Sequence, residues 1–526
     1  MDKSLEFLLG SIEKAHELAE TKPEGELLTV SETVSAAASV YETIRNSLEY
    51  DEEHLLRRNA IRRILKRKLG EVECAALAAD LLRELIWARY LPNKSIPESK
   101  IPTIANMLAK YQPLFAAATH ETKEGQRAHD WLLDVVSTEV EYAMSPPIID
   151  EAVASFSYAQ LKKRITWNSE VIGEEDRDLQ LYIAVHRAVL KSNLATLRFR
   201  VFSLFHPDWV KPDGGNVAAV RSSEELSKLI GQVERAIQHP GQDALYMIVR
   251  RHAIVFHVIR DVADENPKKF AEMVAAHNTG EIDSRIALFA SERYARFRAR
   301  LRNSVVRAVL FLFLTKMALA LVIEFPYERF VLKTTNMTPL LVNIIFHPTL
   351  LGIIGLTAKL PEAANTEAVI HEAHAFLGIG DDVGLTYKMR RPWSRGTLGV
   401  VFNAIYAVMF LFTITVIATI LHSFEFNGLS IFFFLFFLSL VTFFGLKIRN
   451  TRRELMVVET RVGIVGTIAD VLFLPMIRAG RWVALRAPRI NVFIFFFDFI
   501  VEAPFKAAIS MVEGWLAFLR EKKEEI

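Results

Sequence analysis

Apolar residues recur at helical spacing through roughly the first 300 residues of the chain. In the first segment the shared face carries Leu5, Leu8 and Ile12. The same pattern returns near 27–50, 52–69, 71–91, 126–143, 176–205, 222–238, 242–264 and 281–303. Helix-breaking residues separate these segments, as at Pro146-Pro147. The period-two alternation typical of strands does not recur, so the pattern predicts an all-α fold.

Four later segments are apolar without interruption, near 304–325, 338–357, 398–421 and 428–446. A helix needs about 20 apolar residues to cross the hydrocarbon of a bilayer. The chain is therefore predicted to have an N-terminal soluble helical domain (1–303, with a possible subdivision near 146), followed by a C-terminal polytopic transmembrane helical domain. The latter comprises a four-span bundle at 304–461, with a cytoplasmic loop at 358–397, and a third region at 462–526.

Charge composition supports this division and predicts an orientation. Residues 1–303 contain 41 Lys and Arg against 44 Asp and Glu, whereas the remainder contains 22 and 17. Basic clusters precede the first span, follow the second and follow the fourth, while the opposite loops carry only Arg329 and Lys333. By the positive-inside rule both termini are cytoplasmic. The acid-containing N-terminus is unlike a secretory or transit signal, so we expect a multi-pass protein of the cell (inner) membrane.

The region 462–526 contains two amphipathic patterns. The first places Arg478, Arg481, Arg486 and Arg489 within an arc of about 140° on a helical wheel. The second forms a polar stripe of about 120° that includes Asp498 and Glu502. Both helices are expected to lie in the cytoplasmic interface, against the anionic inner leaflet. The alternative is a hairpin that enters the bilayer and lines a polar path.

Polar residues inside the predicted spans are the first candidates for a functional site. Lys316 lies near the middle of the first span and His347 near the middle of the second; Asn343 and Asn403 are further polar groups. A charge at the centre of a bilayer costs at least about 2.5 kcal/mol on insertion scales, so Lys316 needs a partner. It belongs either to a proton or ion path with His347, or to a structural contact with carbonyls freed by Pro348 or with an acid such as Asp470 or Asp498.

The loop between the second and third spans contains a weak metal-binding pattern. Glu367, His371 and His374 stand at i, i+4 and i+7, on one face of a short predicted helix. A carboxylate and two imidazoles at this spacing are able to ligate zinc or another divalent metal. Because a fourth ligand is not evident, an exposed polar helix is the default expectation and no cofactor is expected.

A basic amphipathic helix is predicted around 55–69, with seven Lys and Arg between Arg57 and Lys68. Such a face is able to bind nucleic acid or anionic lipid. The favoured interpretation is a solvated face paired with the acids just upstream, Glu49, Asp51, Glu52 and Glu53. Nucleic acid is therefore not an expected partner.

No nucleophile elbow, dinucleotide fingerprint or kinase motif is present, so enzymatic activity is not expected. The leading hypothesis is a membrane-anchored interaction or scaffold module, with a protein partner for the N-terminal domain. One alternative is an oligomeric channel or transporter that uses Lys316 and His347. A second is a metal-dependent membrane enzyme built on Glu367, His371 and His374.

Overall fold

The structure is a computed structural model, and it describes most of the chain. The described residues are 2–21, 25–30, 53–70, 73–118, 121–168, 171–211, 214–215, 217, 220–333, 337–357, 363–388, 397–457 and 474–483. They form two compact units. Of the described residues, those from 3 to 163 and from 171 to 247 belong to the N-terminal unit, and residue 2 and those from 164 to 168 and from 248 to 483 belong to the C-terminal unit.

The N-terminal unit is helical. Its helices are α1 (Lys3–Glu20), α2 (Glu53–Lys68), α3 (Cys74–Trp87), α4 (Lys100–Ala117), α5 (Lys123–Met144), α6 (Ile148–Arg164), α7 (Arg177–Ala188), α8 (Leu194–Phe205), α9 (Ser223–Ile237) and the start of α10 (Gln242–Glu265). Short 3-10 turns lie at Glu174–Asp176 and Pro207–Val210. The apolar face predicted for α1 is confirmed, because Leu5, Leu8 and Ile12 are buried. Local caps fix helix starts, as where Ser222 and Glu225 form a capping box before α9.

The basic face of α2 forms ion pairs with other helices of the N-terminal unit. The pairs are Arg57–Glu141 at 3.3 Å, Arg62–Asp134 at 2.7 Å, Arg67–Glu84 at 2.8 Å and Lys68–Asp80 at 2.7 Å. The acids lie on α3 and α5. These four basic residues therefore pair with acids later in the chain, and not with the upstream acids that the sequence suggested. The acids at 49–52 lie outside the described residues. Because Asp134 also binds Arg198 at 2.7 Å, this network extends from α2 to α8.

A buried polar cluster lies inside the N-terminal unit. The carboxylate of Glu139 accepts hydrogen bonds from Lys110, from the Tyr111 hydroxyl at 2.5 Å and from the Trp209 indole at 3.0 Å. Lys110 also donates to the Trp209 carbonyl oxygen at 2.9 Å. Burial, together with the adjacent Glu139 carboxylate, raises the pKa of Tyr111. The 3-10 turn Pro207–Val210, which contains Trp209, therefore belongs to the core and contacts α4 and α5.

The C-terminal unit contains the rest of α10, α11 (Pro267–Ala275), α12 (Thr279–Leu319), α13 (Met337–Leu356), α14 (Ala363–Leu377), α15 (Thr397–Ser423) and α16 (Gly428–Thr451). A 3-10 turn follows at Arg452–Leu455, and residues 474–483 are helical. Two short strands, β1 (Ile165–Trp167) and β2 (Leu385–Tyr387), pair in parallel. The described chain is therefore mostly helical, as the sequence predicts.

Four helices are long and apolar enough to cross a membrane. They are Thr279–Leu332, Met337–Leu356, Asn403–Ser423 and Gly428–Ile448, and each contains one of the four apolar segments identified in the sequence. Many large apolar side chains on these helices are exposed, for example Phe311, Leu356 and Val408. The first candidate span is part of one continuous 54-residue helix. The boundary placed at 303/304 therefore falls inside a helix.

Candidate functional site

The helix that contains the first candidate span changes its geometry near its end. Ala320–Glu324 and Tyr327–Leu332 are π-helical, on either side of Pro326. Proline has no N–H group and interrupts the α-helical hydrogen-bond ladder, and a π turn contains one residue more than an α turn. In a regular α-helix Glu324 would lie about 80° around the axis from Lys316. The π turn reduces this offset, and both side chains reach the same neighbour on α13.

That neighbour is Asn343. Its amide oxygen accepts a hydrogen bond from the Lys316 ammonium at 2.5 Å, and its amide nitrogen donates to the two Glu324 carboxylate oxygens at 3.0 and 2.8 Å. The ammonium also lies 4.3 Å from the centre of the Phe437 ring on α16, a cation–π distance. Among the described residues, no direct ion pair joins Lys316 to Glu324. One amide therefore bridges the two charges.

Two residues at the start of α16 extend this cluster. The Ser430 hydroxyl donates to Glu324 at 3.4 Å, and Asn427, whose side chain caps the Ser430 N–H at 2.9 Å, donates from its amide nitrogen to Glu328 at 2.8 Å. Lys316, Asn343, Glu324, Ser430 and Glu328 are each at most 5% exposed. We call these five residues and Asn427 the interhelical polar cluster. It contains one cation and two carboxylates.

His347 lies one turn after Asn343 on α13 and is fully buried. Its Nδ1 atom faces the Asn343 backbone carbonyl at 3.2 Å, and its Nε2 atom faces the Phe434 carbonyl on α16 at 2.9 Å. A neutral imidazole has a single N–H and donates to only one of these carbonyls. His347 thus links α13 to α16 and contacts the cluster through the backbone of Asn343.

Close packing also joins the apolar helices at a distance from this cluster along α13 and α16. A Cβ atom at Gly355 would lie 2.5 Å from a methyl group of Val305, and one at Gly445 would lie 2.9 Å from Ile354. Small residues allow such close approach, as is common between membrane helices. Removal of charges from water costs several kcal/mol per ion unless new partners replace the water. In the interhelical polar cluster, hydrogen bonds with Asn343, Ser430 and Asn427 supply partners to the three charged side chains.

The sequence identified part of this site. Lys316, Asn343 and His347 come together, whereas Asn403 is exposed on α15. Asp470 and Asp498, offered as partners of Lys316, lie outside the described residues. Sequence reasoning missed Glu324, Glu328, Asn427 and Ser430. The available signal was a pair of glutamates around Pro326, at the end of a predicted span, where a helix irregularity brings polar groups onto a new face.

The predicted metal ligands on α14 do not come together as a metal site. Glu367 and His371 are exposed, whereas the Nε2 atom of His374 contacts Asp283 at 2.6 Å. Among the described residues, no group of three His, Cys, Asp or Glu side chains has a geometry suited to a metal ion. Glu372, which follows His371 in the sequence, is buried and contacts the His252 Nδ1 atom at 2.7 Å. The expected exposed helix is instead packed, with Phe376 stacked on Phe256.

Asn365, near the start of α14, joins three separate parts of the C-terminal unit. Its amide nitrogen donates to the Tyr294 hydroxyl and to the Leu455 carbonyl oxygen, both at 2.8 Å. Its amide oxygen accepts from the Val457 N–H at 2.8 Å. The residue is buried. It therefore connects the first candidate-span helix, at a point before its apolar segment, with the loop after the second span and the segment after the fourth.

Two of the predicted interfacial residues are described. Arg478 and Arg481 are both exposed on the helix at 474–483, and the Arg478 guanidinium lies 4.5 Å from the centre of the Tyr406 ring on α15. Arg486, Arg489, Asp498 and Glu502 lie outside the described residues.

Comparison with known proteins finds no matching protein family, no similar curated protein and no similar solved structure. Functional inference consequently depends on the geometry of the chain itself.

Proposed function

We propose that this chain is a four-span membrane protein with both termini in the cytoplasm, and that its helical N-terminal part serves as a membrane-anchored interaction module. The observation that carries the layout is the set of hydrogen bonds made by Asn365. Tyr294 precedes the apolar segment of the first candidate-span helix, and Leu455 and Val457 follow the fourth candidate span. Four spans place these segments on the same side as the loop that contains Asn365.

The opposite ends of the spans agree with this layout. Glu328, at the end of the first candidate span, bonds Asn427, which lies between the third and fourth. Four spans place these two residues together on the non-cytoplasmic side. The hydrocarbon of a bilayer is about 30 Å thick, so a layout that separated either set of partners would break these hydrogen bonds. The positive-inside rule and the contacts thus favour the same topology.

The interhelical polar cluster supports the role of the spans as a membrane anchor. Its charges are buried and have hydrogen-bond partners, which fixes the packing of α12, α13 and α16. The helix that contains the first candidate span is 54 residues long, about 80 Å. A bundle whose helix packing is fixed in this way, with a long helix that continues beyond the apolar segment, is suited to holding a folded module at a membrane.

Cross-linking of the full chain in its native membrane tests this function. We expect a stoichiometric companion protein to cross-link to exposed lysines of the N-terminal unit, such as Lys211 and Lys228. Mass spectrometry then identifies the linked residues. A companion linked only to residues of the candidate spans, or a homo-oligomer without a companion, would contradict the interaction module.

A second candidate function is a proton or ion path. It is favoured by the two π-helical carboxylates within the candidate spans: Glu324 contacts Asn343, which also binds Lys316, and Glu328 contacts Asn427. Ionisable residues in membrane helices often mark such pathways. Flux into proteoliposomes should then fall in Lys316→Met and Glu324→Gln but persist in Asn403→Ala, which alters an exposed polar residue. Equal flux in all four proteins would exclude the path.

A further inference from the structure

The helix at 474–483 packs against the middle of the fourth candidate span. A Cβ atom at Gly480 would collide with the Ser439 carbonyl oxygen and would lie 2.9 Å from the Cβ of Phe443. The backbones of the two helices therefore approach closely, and glycine is the residue that permits it. Met476, one turn earlier, is only 2% exposed. This face of the short helix is a packed interface.

The position of Ser439 gives the depth of that contact. In the candidate span Gly428–Ile448, about 14 Å of helix separate Ser439 from the C-terminal end and about 16 Å separate it from the N-terminal end. A helix that lies flat among the headgroups penetrates about 5–10 Å. Contact with the backbone of Ser439 therefore requires deeper insertion than the interfacial arrangement expected from the sequence.

The other face of the helix carries charge and an aromatic ring. Arg478 and Arg481 are exposed, and Trp482 is 57% exposed. Arg478 lies over Tyr406, three residues into the candidate span Asn403–Ser423. In the four-span layout this end of the span is cytoplasmic. Arg, Trp and Tyr together are typical of the headgroup boundary.

We infer that residues 474–483 insert into the cytoplasmic leaflet beside the fourth span, where Arg478 and Arg481 bind the phosphate of an anionic phospholipid. This inference rests on the proposed four-span layout. Guanidinium groups suit phosphate because their donors match its oxygens in pairs. The packed Gly480 face fixes the helix, and the long side chains of Arg478 and Arg481 are able to extend from it toward the cytoplasmic headgroups.

Quenching of Trp482 by brominated lipids tests both parts of the inference. The full chain and its Trp482→Phe variant are reconstituted in two vesicle mixtures of phosphatidylcholine and phosphatidylglycerol, with bromine on one lipid or on the other. The fluorescence difference between the two proteins reports Trp482 alone. We expect the brominated phosphatidylglycerol to be enriched beside Trp482, by about fivefold for each arginine that contacts an anionic lipid. Arg478→Gln and Arg481→Gln should each reduce this enrichment, whereas Arg235→Gln on α9 should not.

Each other outcome contradicts the inference. Equal quenching by both lipids means that the helix inserts without selecting an anionic headgroup. Absence of quenching by either lipid means that it does not insert. Loss of the preference in excess inorganic phosphate means that the site takes free phosphate. The layout itself is tested separately by cysteine accessibility, so failure of the lipid site is distinguishable from failure of the topology.

Discussion

The N-terminal unit and the candidate spans each bury a lysine with a glutamate, but they connect the two charges differently. In the N-terminal unit Lys110 contacts Glu139 directly, and Tyr111 and Trp209 donate to the same carboxylate. In the spans, Asn343 stands between Lys316 and Glu324. The first arrangement concentrates the contacts on one acid. The second concentrates them on one neutral amide, so a single side chain controls both charges.

The largest expected effect of a single substitution is that of Glu139→Ala. It removes the acceptor shared by three donors and leaves the Lys110 ammonium buried without its anion. Loss of one partner from a buried pair costs about 3–5 kcal/mol. Pulse proteolysis of the full chain in detergent, with fragments from the N-terminal unit identified by mass spectrometry, measures the change. The exposed Glu98→Ala should change the free energy of unfolding by no more than about 0.5 kcal/mol. An equal effect of both substitutions would refute the role of the buried polar cluster around Glu139.

Mild acid should weaken the N-terminal unit through His186. Burial lowers the pKa of this residue to about 4, whereas an unfolded histidine titrates near about 6.5. The unfolded chain therefore binds the proton first, and stability falls as the pH drops from about 6.5 to about 4, by up to about 3 kcal/mol. His186→Phe should flatten this dependence, whereas the exposed His16→Asn should preserve it. If the stability of His186→Phe still fell steeply with decreasing pH, a group other than His186 would cause the acid sensitivity.

Asn343→Leu tests whether one amide controls the charges in the spans. It leaves both Lys316 and Glu324 short of a partner, and we expect a loss of about 2 kcal/mol, since membrane hydrogen bonds contribute about 1–2 kcal/mol at most. Thermal unfolding in detergent measures the loss. The matched Asn403→Leu changes an exposed amide and should have little effect. Combining Asn343→Leu with Lys316→Met and Glu324→Gln should recover part of the stability, because the buried charges are removed.

The smallest expected effect distinguishes two glycines of α13. At Gly355 a Cβ would lie 2.5 Å from the stiff Val305 side chain, whereas at Gly352 it would lie 3.8 Å from Val309. Gly355→Ala should therefore cost about 1–2 kcal/mol through overpacking. Gly352→Ala should be neutral or slightly stabilising, because alanine favours the helix. Thermal unfolding in detergent measures both variants. Equal effects of the two substitutions would contradict the described packing of α12 on α13.

The sequence predicts local features of this chain better than its long-range pairings. Helical periodicity and apolar length are local properties, and they identify the face of α1 and all four apolar helices. The partner of Lys316 depends on tertiary packing and on a π turn before Pro326, so the sequence alone offered a path with His347, carbonyls freed by Pro348, or an acid such as Asp470 or Asp498. For the same reason the partners of Arg62, on a helix about 70 residues further on, and the burial of α14 were not predicted.

Cysteine accessibility tests the central claim most directly, because Cys74 is the only cysteine in the sequence. In a Cys74→Ser background, His371→Cys reports the loop between the second and third candidate spans, and Ser423→Cys reports the end of the third. Both side chains are exposed. In sealed vesicles of known orientation, the four-span layout predicts that an impermeant maleimide labels His371→Cys only from the cytoplasmic side and Ser423→Cys only from the opposite side. Labelling of both positions from the same side would contradict the layout.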